Sequence, residues 1–188
     1  EGYCITDDAD SLDITTAITF MCWVKPRKMD TEQILFIKQN AFSLRITSGN
    51  ALKAGIYISS SENTATTTQT VEFDKWKHVT AVYDGGTLDI YLDGVNVKST
   101  NVTGTLDTNT NDMYTARNYD ATLYLTGMID EVKIYCKALT GAEVLEQYTT
   151  TEPDHSNASL PTGGWFIGDP GADQIIGDPG ADEGIGNT

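Results

Sequence analysis

Basic charge, histidine and long apolar runs are all scarce in this chain, and each scarcity removes a class of function. Only 12 Lys and Arg stand against 27 Asp and Glu, a net charge of −15, which repels phosphate backbones and anionic membrane surfaces. Nucleic acid is therefore not an expected partner. No stretch approaches the roughly 18 consecutive apolar residues of a membrane-spanning helix, so no membrane insertion is expected. The three cysteines, Cys4, Cys22 and Cys136, form no CxxC pair, which argues against a zinc ribbon or a redox dithiol. One disulfide with a free thiol, or three small buried hydrophobes, both remain open. His78 and His155 are the only histidines, and no Gly-x-Ser-x-Gly elbow marks a serine nucleophile.

What is present is a strand-forming texture. A chain of 188 residues can bury one substantial core with an appendage. Thr, Ser, Asn and Gly are abundant and suit short strands joined by polar turns. Apolar or alternating runs predict strands at 3–5, 18–24, 34–38, 42–47, 78–83, 87–92, 95–99, 123–125 and 128–135. Asp93-Gly94 supplies the positive φ angles of a tight hairpin, so 78–99 reads as a β-meander. Alternation places Val79, Ala81 and Tyr83 on one face with Leu88, Ile90 and Leu92, and Asp89, Tyr91 and Asp93 opposite. Thr140-Gly141-Ala142-Glu143 reads as a capping box opening one short helix to about Tyr148. About a dozen such strands cannot cover their apolar faces as one sheet. The expected fold class is all-β: a two-sheet antiparallel jelly-roll sandwich with one C-terminal helix and an extended acidic tail.

The texture changes near residue 149, which divides the chain into a jelly-roll domain at 1–149 and a tail at 150–188. Residues 151–188 carry seven acids and no Lys or Arg. A nine-residue unit beginning Gly-Asp-Pro-Gly-Ala-Asp occurs at Gly168 and again at Gly177. An open linker is one reading of this tail. A second notes its likeness to the calcium-binding nonapeptide of repeats-in-toxin proteins, with Asp173 and Asp182 as ligands, although Asp169 and Asp178 replace the usual second glycine. A third is self-assembly, with the apolar run Trp165-Phe166-Ile167 adding to a neighbour's sheet edge.

Several segments together resemble the laminin-G-like jelly rolls of the concanavalin A-like lectin and glucanase superfamily, which also includes pentraxins. They are Tyr3-Cys4-Ile5, Ile18-Thr19-Phe20-Met21-Cys22-Trp23-Val24-Lys25-Pro26, Trp76-Lys77-His78-Val79-Thr80-Ala81-Val82-Tyr83-Asp84, Leu88-Asp89-Ile90-Tyr91-Leu92-Asp93-Gly94 and Gly127-Met128-Ile129-Asp130-Glu131-Val132-Lys133-Ile134-Tyr135. The resemblance covers about residues 1–149 and implies the fold. It leaves function open, because this superfamily hosts lectins, adhesion domains, glycosidases and lyases.

The glycosidases among these relatives need paired carboxylates on one strand, whereas Glu72-Phe73-Asp74 is followed by Lys75-Trp76-Lys77. No catalytic residue is assigned, and the chain is not expected to be an enzyme. The resemblance further implies a structural calcium, with Asp130 as main ligand joined by oxygens of Glu1, Gly2 and Asn40; the alternative is that Asp130 merely holds loop amides. Sugar sites pair an aromatic platform with amides and carboxylates, which selects Tyr91, Tyr114, Arg117, Asn118 and Tyr119, with Tyr124 beside them. Asn101 and Asn157 open glycosylation sequons, and a chain opening on Glu1 fits a mature secreted protein or an excised piece. The expectation is an extracellular recognition or adhesion module binding carbohydrate or an extracellular protein. A filament subunit docking through its tail and a glycan-cleaving enzyme are the alternatives.

Overall fold

The computed structural model describes residues 2–28 and 30–155, with the strands Trp165–Asp169 and Ala172–Ile176 beyond them. Eleven strands build the body: β1 (Cys4–Thr6), β2 (Ile18–Pro26), β3 (Gln33–Lys38), β4 (Phe42–Ile46), β5 (Ala51–Ile58), β6 (Ser61–Thr70), β7 (Lys77–Tyr83), β8 (Thr87–Leu92), β9 (Val95–Asn101), β10 (Met113–Thr115) and β11 (Gly127–Tyr135). They form a six-stranded sheet in the order β1-β10-β3-β4-β5-β6 and a five-stranded sheet in the order β11-β2-β7-β8-β9, with antiparallel neighbours throughout. This is the expected jelly-roll sandwich. Among the described residues no helix is long and apolar enough to cross a membrane.

Period-two alternation fills the space between the sheets. Phe20, Cys22 and Val24 of β2, Val79, Ala81 and Tyr83 of β7, and Leu88 and Ile90 of β8 meet Phe36, Phe42, Leu44, Ala54 and Ile56 of the opposite sheet. The β8–β9 turn has Asp93 at φ 50° and Gly94 at φ 77°, the left-handed pair that matches the twist of a two-residue hairpin.

The back of the five-stranded sheet carries a second core. Helix α1 (Gly141–Thr151) starts with the capping box of Thr140 and Glu143 and lays Val144 with Leu139 onto Met21, Val82 and Tyr91. The packed body continues past the expected boundary at 149. A 3-10 turn, Glu152–His155, brings the His155 ring onto Trp23, with centroids 4.5 Å apart and planes within 5°. His155 is buried and packs with the body, beyond the residue at which the tail was expected to begin.

Other differences follow from weak local patterning. β6 has almost no apolar residue and β5 only a broken alternation, so neither was expected; 123–125 was expected as a strand but makes only an isolated bridge between Arg117 and Tyr124. Cys22 lies in the core, whereas Cys4 and Cys136 are exposed and all three thiols are free. The tail strands β12 (Trp165–Asp169) and β13 (Ala172–Ile176) pair with each other. Asp173 falls in β13, while Asp182, Asn157 and Glu1 lie outside the described residues. Asn101 ends β9 and is exposed.

Candidate functional site

Four connections at one end of the sandwich enclose an open, polar cavity of about 630 Å³ lined by Thr15, Asn40, Tyr57, Ser60, Thr105, Leu106, Asp107, Thr108 and Asn109. Each wall is held by its own hydrogen bonds. The β5–β6 turn passes through Ser59 and Ser60 at φ 52° and 61°, and Asp107 fixes it by accepting from their amides at 3.0 and 2.6 Å. The β3–β4 turn is tied to the long loop through Gln39, whose carbonyl accepts from Asn109 Nδ2 at 2.9 Å and Asn111 Nδ2 at 3.1 Å. Beneath it the buried Lys38 ammonium donates to the Asn109 and Asn111 carbonyls at 2.9 and 2.8 Å and pairs with Asp8. The cavity therefore sits on pre-ordered loops, presenting hydroxyls and amides beside one tyrosine.

Tyr57 links this cavity to the outer face of the six-stranded sheet. Burial and the neighbouring Glu62 carboxylate hold its phenol above the ordinary range. On the same strand, two residues away, the side chains of Glu62, Arg45 and Ser43 close over Gly55, where an added Cβ would lie 2.7–2.9 Å from Glu62 Oε1, Arg45 Nη2 and Ser43 Oγ. Arg45 is held there by Glu32 and Glu62.

At the other side of this face, Arg117 lies over two rings, 4.1 Å from the Tyr3 centroid and 5.1 Å from that of Tyr114. Ala116 at φ 64° turns the chain just before it. Asn118 is buried and organises the following turn: its Oδ1 accepts from the amides of Thr122 and Leu123 at 2.9 and 3.0 Å, and its Nδ2 donates to Thr122 Oγ1. Tyr119, at the tip of the turn, is 48% exposed and Tyr3 is 51% exposed. Arg117 and Tyr119 of the expected sugar set thus share one loop with Asn118 as its scaffold, and Tyr114 of β10 lies against Arg117.

Tyr91 does not join them. It is buried at 8% exposure beneath α1, because the face opposite Leu88, Ile90 and Leu92 is covered by the helix. Asp130 and Asn40 are also apart in the fold. Asp130 pairs in register with Trp23 on the five-stranded sheet, its Oδ1 accepting from the Glu131 amide at 2.7 Å and its Oδ2 lying 3.2 Å from His155 Nε2. Asn40 lines the cavity, and Gly2 precedes β1. A calcium ion takes roughly six to eight oxygens; the Asp130 carboxylate is instead engaged by an amide and an imidazole, and among the described residues no three His, Cys, Asp or Glu side chains converge. Around Asp130 the described residues do not fit such an ion.

The residues around Trp23 form a closed structural cluster. Its indole donates to Thr151 Oγ1 at 2.7 Å, and His78 lies 5.3 Å from it. Burial, with Lys133 and His155 nearby, pulls the His78 pKa down to about 4.

Sequence reasoning missed Tyr3 as the partner of Arg117 and most of the cavity lining. The dense Thr, Asn and Asp run at 105–112 was the available sign. Such a run reads as an ordinary turn until the fold sets it opposite residues 40 and 57–60.

The family model described as the concanavalin A-like lectin/glucanases superfamily, of laminin-G type, matches residues 1–145. The chain belongs to this family. No curated protein matches it. Among solved structures it is similar to a Bacteroides ovatus protein provisionally described as carbohydrate binding, at 16% identity and TM-score 0.65, covering 78% of this chain and 44% of that one. It is similar to botulinum neurotoxin type C, for which cell entry depends on two ganglioside molecules, at 14% identity and TM-score 0.59, covering 79% and 39%. A heptameric SAP-like pentraxin from Limulus polyphemus matches at 16% identity and TM-score 0.57, covering 87% and 80%. The chain thus spans less than half of the first two, and these likenesses concern the fold.

Proposed function

We propose that this domain is a non-catalytic carbohydrate-binding module acting outside the cell. The observation that carries the reading is the cavity beside Tyr57: hydroxyl and amide groups on loops already fixed by hydrogen bonds, which is what recognition of a sugar's hydroxyls requires. Two of the similar structures, the Bacteroides ovatus protein and the neurotoxin, are described in terms of carbohydrate or ganglioside binding, which supports the same reading. Binding without bond making is favoured by the one acid lining the cavity. Asp107 spends both oxygens on turn amides, while glycoside cleavage needs two carboxyl groups about 5–9.5 Å apart across the sugar. Glu72, of the acidic run weighed as a dyad, is paired with Lys75 and Lys77.

A glycan array, run with calcium and with a chelator, tests this, followed by calorimetry on the best binder. Tyr57→Ala and Thr108→Ala are expected to weaken binding about tenfold, or ~1.4 kcal/mol. Absence of binding on the array, or release of sugar from a polysaccharide panel, would overturn the reading. Binding that disappears with the chelator would show that a bound cation takes part in it.

A second reading, assembly through the tail, is favoured by one feature. β12 and β13 form a sheet of only two strands, and an isolated hairpin is marginal in water, so pairing with another chain would stabilise it. Deletion of residues 157–188 is expected to reduce any oligomer seen by size-exclusion chromatography; an unchanged elution profile would count against it.

A further inference from the structure

The clearest unassigned group is the Arg117 guanidinium. The chain has three arginines. Arg27 lies against Asp74 and Arg45 sits between Glu32 and Glu62, as expected where acids outnumber bases more than two to one. Arg117 alone has no acidic partner and no side-chain hydrogen bond among the described residues, and its Nε is buried without one. The nearby Asp120 is committed elsewhere: its Oδ1 accepts from the hydroxyl and amide of Thr122. What Arg117 has is position. Tyr3 and Tyr114 hold its plane, so little side-chain freedom remains to be lost on binding. A fixed guanidinium fork matches the paired oxygens of a carboxylate or sulfate. Its surroundings match a sugar ring, since Tyr3, Ile5 and Tyr119 are exposed large apolar side chains and Tyr114 stands in register with Ile37, Ser43 and Gly55, two residues along β5 from the Tyr57 of the cavity.

We infer that Arg117, packed over the rings of Tyr3 and Tyr114, is the recognition site for the acidic group of a saccharide, a sugar carboxylate or a sulfate ester. This rests on the carbohydrate-binding reading above and adds the ligand's charge. Sugar oxygens meet the cavity and outer face, and the anionic substituent forms paired hydrogen bonds with Arg117 that complete its coordination.

The test is calorimetry on the full chain with four probes: 3′-sialyllactose, a glucuronate-terminated disaccharide, a 6-sulfated disaccharide, and lactose as the neutral comparison. At least one acidic probe is expected to bind tenfold or more tightly than lactose, and which one does so separates carboxylate from sulfate. Arg117→Gln should erase that difference. Arg117→Lys, which keeps charge but loses the fork, should restore only part of it. Equal affinity for acidic and neutral probes, or a preference that survives R117Q, overturns the inference and leaves the binding module standing. If no probe and no array glycan binds, the module reading itself falls, and the inference with it. Should R117Q fail to fold, the Arg117 Nε–H resonance of the unmodified protein decides during titration with the acidic probes: displacement supports the contact and an unmoved resonance refutes it.

Discussion

His78 is a base held where a proton is costly. It is buried against Trp23, and its Nδ1 has no partner among the described residues; its folded pKa of about 4 lies below the ordinary 6.5. The unfolded chain therefore binds a proton first as pH falls. Stability from this residue is complete above 6.5 and declines as pH drops toward 4, with an upper limit of about 3 kcal/mol. Thermal melts between pH 7 and 5 should show this loss, and His78→Gln should flatten the slope; an unchanged slope would count against the assignment. Residue types were readable in the sequence, but their surroundings were not. Tyr91 and Tyr114 both looked like sheet tyrosines available to a sugar. One is sealed under α1 and the other lies beneath Arg117, and that difference is set by which face the helix covers.

At the scale of elements, the best-read parts were those with strong local chemistry. The Asp93-Gly94 turn and the Thr140/Glu143 capping box stand where the residues indicated, because both are decided within four residues of chain. β6 was invisible for the opposite reason: Ser61–Thr70 is an edge strand, with Ala65 and Thr67 its buried positions, so tertiary pairing with β5 makes it a strand. Two outcomes belong here. Gly94→Ala should destabilise the fold by ~1–3 kcal/mol in chemical denaturation, since Gly94 has φ 77° and an added Cβ would meet Leu145 Cδ1 at 2.8 Å. A chain ending at residue 149 should melt well below one ending at 156 and show red-shifted tryptophan emission, because it lacks both Thr151 and His155 over Trp23; coincident melts would remove His155 from the body.

For the whole molecule, the sandwich was legible from alternation and turns, and family membership agrees with it. The candidate site was legible only in part: Tyr114, Arg117, Asn118 and Tyr119 are consecutive enough to be noticed together, but the cavity assembles residues 15, 40, 57, 60 and 105–109 from separate connections. The thiols offer a global check on packing. Cys22 is fully enclosed and its pKa is driven upward by burial, while Cys4 and Cys136 are exposed. A thiol reagent should modify two cysteines in the native protein and the third only in denaturant; no native reactivity would reveal a bridge between the outer pair.

The Arg117 contact takes one ring from residue 3 and its cation from residue 117, brought side by side by the pairing of β1 with β10. A ribosome must therefore add more than a hundred residues after the first aromatic ring before that ring meets its partner. No short peptide cut from the sequence could mimic the surface, and an antibody raised against native protein at this spot should fail to stain a denaturing blot.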